Sequence, residues 1–221
     1  MNPLRSLFSL LIISIGISIC YAQTNPGSEA EYEIPEEGIT RFSPLAPKEG
    51  PLLFKAAISI FGDYYSGLVL IKQMPADSAI HVVFLSELGL NLMDLSYRDE
   101  MFIVVSVQEF LNRRSILSTL QNDFRCLLLD LSLIEDYSLR SSNDGHSEML
   151  KFKHKGQRYF YSCNAVTGPS TIRKKNGLFG RVDFSIINAS REVKSEEDKL
   201  KIGIRHRGVR LKIDLTELNQ L

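Results

Sequence analysis

Cys163 follows His146 and His154 in the sequence, and a thiol beside an imidazole is the pairing that gives a nucleophile and its base. Neither histidine stands in a recognisable catalytic motif with Cys163, so the plainer expectation is a structural thiol. The remaining histidines are His81 and His206. A zinc site needs three or four converging ligands, and no pair here has ligand spacing. His81 opens an apolar run, while His154 and His206 sit among Lys and Arg, which predicts solvent-facing strand positions. The acidic clusters Asp99-Glu100 and Glu196-Glu197-Asp198 fall between apolar runs and read as loop charges rather than paired acid and base. There is no Gly-rich phosphate loop, Gly-x-Ser-x-Gly, His-Glu-x-x-His or Cys-x-x-Cys. The expectation is a protein without catalytic machinery or cofactor.

The elements that would position any such group are mostly strands. LLFKAAISIF, SGLVLIKQM, AIHVVFLSELG, LNLMDLSY and MFIVVSVQ follow one another between residues 52 and 108, separated by Gly62-Asp63, Pro75–Ser78, Gly89 and Arg98–Glu100. Connections this short predict an antiparallel meander, because parallel pairing needs a crossover of about a dozen residues. Strands with one wet face should alternate apolar and polar residues. Here Val69 and Ile71 point one way while Leu68 and Leu70 point the other, and Val83 and Leu85 oppose Val82 and Phe84. A sheet apolar on both faces needs a cover on each, or a cavity.

One cover is legible. Leu117, Leu120, Phe124, Leu127, Leu128 and Leu131 recur at three- and four-residue spacing within 113–134, an apolar helical stripe from which Ser118, Asn122, Arg125 and Asp130 fall away. Asn112 or Ser115 is the expected cap. From Leu139 onward the texture is shorter strands: EMLKFKHK and QRYFYSC as a hairpin about Gly156, then TIRKKN, RVDFSIIN, KIGIRHR and VRLKIDL. Met149, Phe152, Tyr159 and Tyr161 are the candidate buried positions of that hairpin. The whole predicts about ten to eleven strands and one dominant helix, a mainly β chain with α.

The first 22 residues read as an export signal: Arg5, an apolar run from Leu7 to Ile19, then Cys20-Tyr21-Ala22 as the cleavage site before Gln23. Lipidation at Cys20 is the alternative, against which Ile19 counts as too large for lipoprotein processing. Export implies a periplasmic or outer-membrane-associated protein. Residues 23–50 hold four prolines, three glycines and six glutamates, a linker composition from which only Phe42 and Leu45 are expected to dock. The folded domain is expected over 51–221. In an oxidising compartment Cys126 and Cys163 are either a helix-to-sheet disulfide, which the chain-entropy relation values at about 4 kcal/mol, or two buried thiols.

Net charge is zero but unevenly distributed. Residues 1–139 carry 9 Lys/Arg against 17 Asp/Glu, and 140–221 carry 17 against 9, so the halves stand at −8 and +8. This is either a basic surface for anionic headgroups or an acidic partner protein, or simply solvated strand faces. No nucleic-acid recognition motif is present, and nucleic acid is not an expected partner.

The order SGLVLI, HVVFLSELGLNLMDL, then FIVVSVQEFLNRRSILSTLQNDFRCLLL, with KIGIRHRGVRLKIDLTEL near the end, resembles the lipoprotein-localisation (LolA/LolB-like) carrier superfamily over roughly residues 51–217. That resemblance implies a curved, half-open antiparallel β-barrel covered by a helix, with a hydrophobic cavity for acyl chains. It implies a non-enzymatic carrier for an acyl-bearing ligand, a lipid or lipoprotein. The expected lining is Ile58, Ile60, Leu68, Leu70, Val83, Leu85, Leu92, Phe102 and Val104 on the strands, with Leu120 and Phe124 on the helix. Ordinary core packing is the competing expectation for each, which would make the protein an envelope scaffold with a filled core. A hydrolase or thiol enzyme is the third alternative.

Overall fold

A computed structural model describes residues 36–45, 50–74, 78–129, 134, 136–142, 145–176, 180–187, 199–207 and 210–218. The stretch expected to be an export signal, with Cys20, and Leu131 of the apolar stripe lie outside them. Strands β1 (Leu52–Ile60), β2 (Asp63–Gln73), β3 (Ile80–Ser86), β4 (Asn91–Arg98) and β5 (Met101–Val107) lead into helix α2 (Arg114–Leu128). Seven more strands follow: β6 (Tyr137–Ser141), β7 (Ser147–His154), β8 (Gln157–Asn164), β9 (Gly168–Asn176), β10 (Gly180–Ile187), β11 (Lys201–Arg207) and β12 (Leu211–Glu217). A short helix, α1 (Glu36–Thr40), precedes them all.

All twelve strands form one antiparallel sheet in the order β5-β4-β3-β2-β1-β12-β11-β10-β9-β8-β7-β6. Each half of the chain is a meander, and the first and last strands join the halves by pairing Ile58 with Ile213 and Ala56 with Leu215. The mainly β reading with some α therefore holds. The barrel does not: β5 and β6 end the order without pairing to each other, so the sheet is open. The strand missed in the sequence is β6, whose YSLRS carries too little apolar pattern to stand out.

The sheet nevertheless curves round α2. Arg125 reaches the Glu100 carbonyl (3.3 Å) and lies over the Phe102 ring at the β5 side, while the carbonyl of the next residue, Cys126, accepts a hydrogen bond from Tyr161 on β8 (2.9 Å). In a flat sheet β5 and β8 would stand nine strand spacings apart, about 43 Å. A helix with side chains is only about 10–12 Å across. Adjacent helix residues touch both strands only if the sheet wraps. Bulges at Phe84/Leu85, Asp94/Leu95 and Ser162/Cys163 are places where antiparallel strands bend.

α2 is amphipathic as expected, with Ile116, Leu120, Phe124, Leu127 and Leu128 buried and Leu117 half-buried. Its cap is not the expected one. Arg113 occupies the N-cap without a side-chain hydrogen bond, and Ser115 instead offers its carbonyl to Thr119 Oγ1 (2.7 Å). The other end is closed by the segment read as linker. Phe42 and Leu45 dock as expected, Ile39 joins them, and Ser43 Oγ donates to the Leu127 and Leu128 carbonyls at 3.1 Å. These are carbonyls a helix end leaves unpaired, so residues 36–45, expected to belong to the linker, close the end of α2.

Candidate functional site

Strand alternation decides where each predicted lining residue points. On the concave side, facing α2, the register aligns Phe54 with Val69, Val69 with Phe84 and Phe84 with Met93. Ile58, Ile60, Leu120 and Phe124 belong to this interior and are 1–5 % exposed, packed into one continuous core. Leu68, Leu70, Val83 and Leu85 do not. They alternate with the buried residues of β2 and β3, project from the convex face and are half-buried there. The nine strand positions therefore cannot line one space. Leu92 is the extra residue of the β3–β4 bulge and packs against the core, half-buried.

The concave side opens at β5. The register carries the core row from Leu95 to Val104 and from Tyr97 to Phe102, yet burial falls away between the two strands. Leu95 is fully buried, whereas Val104 is 37 % exposed and Phe102 and Val107 are half-buried. Half-buried Leu117 on α2, and Phe110 stacked on Tyr65 at 4.4 Å, are also partly covered apolar groups packed on this core. On its other side β5 shows Met101 and Ile103, with Val105 exposed at the bulge. Among the described residues this edge strand has no strand on its far side.

The titratable side chains of the interior are sealed. His206, expected at the surface, is turned inward because it aligns with Val182 on the core side of β10. Its Nε2 lies 3.1 Å from Asp123 Oδ1 and 3.0 Å from Oδ2, and its Nδ1 lies 3.0 Å from the Leu211 carbonyl. Both side chains are 3 % exposed. Lys174 is buried beside them, with its ammonium 5.4 Å from the Tyr159 ring centre. Burial pushes the Cys126 thiol up to about 12. Burial also raises Cys163, whose Sγ donates to the Arg41 carbonyl (3.5 Å). A nucleophilic cysteine needs its pKa lowered, so neither thiol is activated. Both are free, which corrects the disulfide alternative in favour of two buried thiols. No group of three or more metal-binding side chains is assembled among the described residues.

The convex face of the second meander gathers the C-terminal charge. Lys153 pairs with Arg158, Arg158 with Lys175, Lys175 with Arg181 and Arg181 with Arg207, one cation from each of five successive strands. The next row on the same face holds Lys151, Arg173, Arg205 and Lys212, interrupted by Phe160 and Asp183. Asp183 is flanked by Arg181 and Arg173 at 2.7 and 3.1 Å. Burial alone would raise its pKa, but hydrogen bonds from both arginines hold it below the usual carboxylate value. The period-two repeats Lys151-Lys153, Arg173-Lys175 and Arg205-Arg207 already put each pair on one face of its own strand. What the sequence could not supply was the register that places those faces side by side.

Fold and surfaces together define a class: an open antiparallel sheet wrapped round one helix, with an apolar edge on one wing and a basic convex face on the other. No protein-family model matches the chain, and no curated protein matches it.

Proposed function

We propose that the protein is an exported, non-enzymatic binding protein of the cell envelope that takes up the acyl chain of a lipid or lipoprotein. The observation that carries this reading is the loss of burial from Leu95 to Val104, which leaves an apolar strip of the concave face open beside α2. An alkyl chain laid there would gain about 0.8 kcal/mol per buried CH₂. A helix held within a curved sheet is also the arrangement that the carrier resemblance implies. Export follows from the N-terminal signal, and the mature chain begins at Gln23 without lipid on Cys20. Intact mass of the protein from its own envelope tests this, and a diacylglyceryl group on Cys20 would refute it.

Binding of a fluorescent fatty-acid probe tests the acyl reading. Val104→Asn should weaken the probe while costing little stability, because the site is already open to water. A parent protein that takes up no probe would sink it. The scaffold reading then gains, and it has an observation of its own: Ile58, Ile60, Leu120 and Phe124 form a closed core rather than a cavity wall.

A further inference from the structure

Like charges directly opposite in a sheet are destabilising, and here four such pairs run in sequence from Lys153 to Arg207. Lys153, Arg158, Lys175 and Arg207 have no ion-pair partner among the described residues; within the row only Arg181 is held by a carboxylate, that of Asp183. With strands about 4.8 Å apart, the row spans about 19 Å. Neighbouring cations are therefore closer than the Debye length of about 8 Å at physiological salt, and an anion meets them as one field. The core does not require this arrangement, because all five residues stand on the face turned away from α2.

We propose that this convex face docks the protein onto an anionic lipid bilayer. Charge complementarity selects a polyanion, and the residues bordering the basic face select lipid. Lys212 of the second basic row aligns with Ser59, and Ser59 with Tyr64, so Tyr64 lies on the same face at the edge of the charge. It is 68 % exposed. Phe61, whose amide donates to the Arg210 carbonyl (2.8 Å), is half exposed beside it. The next hairpin tip at that end of the sheet shows Leu88 and Leu90 at 88 % and 63 %. Cations next to exposed aromatics and leucines suit a bilayer boundary, where headgroup phosphates meet the lysines and arginines and the rings sit at headgroup depth. An acidic protein would satisfy the cations but leave these tips in water. This docking is independent of acyl uptake at β5.

The test is co-sedimentation with vesicles of phosphatidylglycerol and phosphatidylethanolamine, with phosphatidylcholine vesicles as the uncharged control. The protein should sediment with the anionic vesicles, not with the control, and should be released by raised salt. Arg158→Glu is the decisive variant, because it stands between Lys153 and Lys175 and turns two repulsions into attractions. Its melting temperature should hold or rise while vesicle binding falls about 10- to 30-fold. The chain has no tryptophan, so Tyr64→Trp supplies a single tryptophan whose emission should shift to the blue on anionic vesicles. Equal sedimentation with both vesicle types, or unchanged binding by Arg158→Glu, overturns the proposal. So does retention on polyglutamate with no vesicle binding, which assigns the face to an acidic protein. Failure of the fatty-acid probe leaves it standing.

Discussion

Asp123 on α2 and His206 on β11 share one proton inside the protein. The Leu211 carbonyl can only accept, so the Nδ1 facing it at 3.0 Å carries a hydrogen. The Nε2 facing Asp123 then either donates to a carboxylate or accepts from a carboxylic acid. In both cases the pair holds one proton more than a neutral imidazole beside an ionised aspartate would. For His206, burial lowers the pKa, but the Asp123 hydrogen bond and charge and the Leu211 carbonyl outweigh it, and the net shift is upward. For Asp123, burial raises the pKa further than His206 lowers it. Buried Lys174 acts on both, favouring the ionised carboxylate and disfavouring the imidazolium.

The sign of the pH dependence follows. A histidine raised above its ordinary 6.5 contributes stability that is complete below about pH 6.5 and is lost as pH rises through the folded value. An aspartate raised above 3.8 likewise favours the protonated folded state and loses that advantage as pH rises. Stability should therefore decline as the pair gives up its proton on the alkaline side. Asp123→Asn should flatten that decline at little cost, because the Asn amide can donate to Nε2 while Nδ1–H keeps the Leu211 carbonyl. His206→Leu strands a buried carboxylate and should cost about 3–5 kcal/mol. Urea melts across the pH range decide it; an equal pH slope in Asp123→Asn would refute the shared proton.

The two cysteines give a second expectation. Cys126 and Cys163 are buried and free, with both thiols held in the protonated form by burial. Alkylation of the native protein with iodoacetamide at neutral pH should be slow at both and fast once urea unfolds the chain. Reductant should leave the melting temperature unchanged. A mass two units below the reduced value, from protein isolated without reductant, would mean a bridge.

Phe124 is 2 % exposed in the stripe that α2 presents to the sheet. Phe124→Ala should cost about 3–5 kcal/mol, the transfer of the ring plus the cavity it leaves. Chemical denaturation measures this directly. A loss below about 1 kcal/mol, usual for surface substitutions, would place the stripe outside the core.

These expectations separate what the sequence revealed from what it hid. Elements set by local pattern were legible: the five leading strands, the α2 stripe, the docking of Phe42 and Leu45. Facing was harder. Met149 was expected inside with Phe152, but the two are an odd number of residues apart, so Leu150 is buried and Met149 is 42 % exposed. The same parity divides the predicted lining, sending Leu68, Leu70, Val83 and Leu85 to the convex face. His206 was misplaced for a related reason. Its charged neighbours Arg205 and Arg207 point outward, which turns the residue between them inward to a partner 83 positions away. The cation rows needed registers among five strands, which no single-strand pattern contains.

Gly67 carries the last prediction, and its reason is steric. It is buried on β2, level with Ser86 where β3 ends. A Cβ there would overlap the Leu85 carbonyl oxygen and stand 3.0 Å from its carbon. The obstacle is backbone, so no side-chain rotation relieves it, and β2 and β3 must separate next to the Phe84/Leu85 bulge. Gly67→Ala should therefore destabilise by about 1–3 kcal/mol, as overpacking of a well-packed site does. For a chain of this size that lowers the melting temperature by about 2–4 °C per kcal/mol. Gly89 is the matched control: it lies at the β3–β4 tip with nothing within 4 Å of a built Cβ, but its φ of +78° also strains an L side chain. Gly89→Asn, which tolerates that backbone, should be nearly neutral. If Gly67→Ala melts at the parental temperature, the close approach of β2 to Leu85 is wrong.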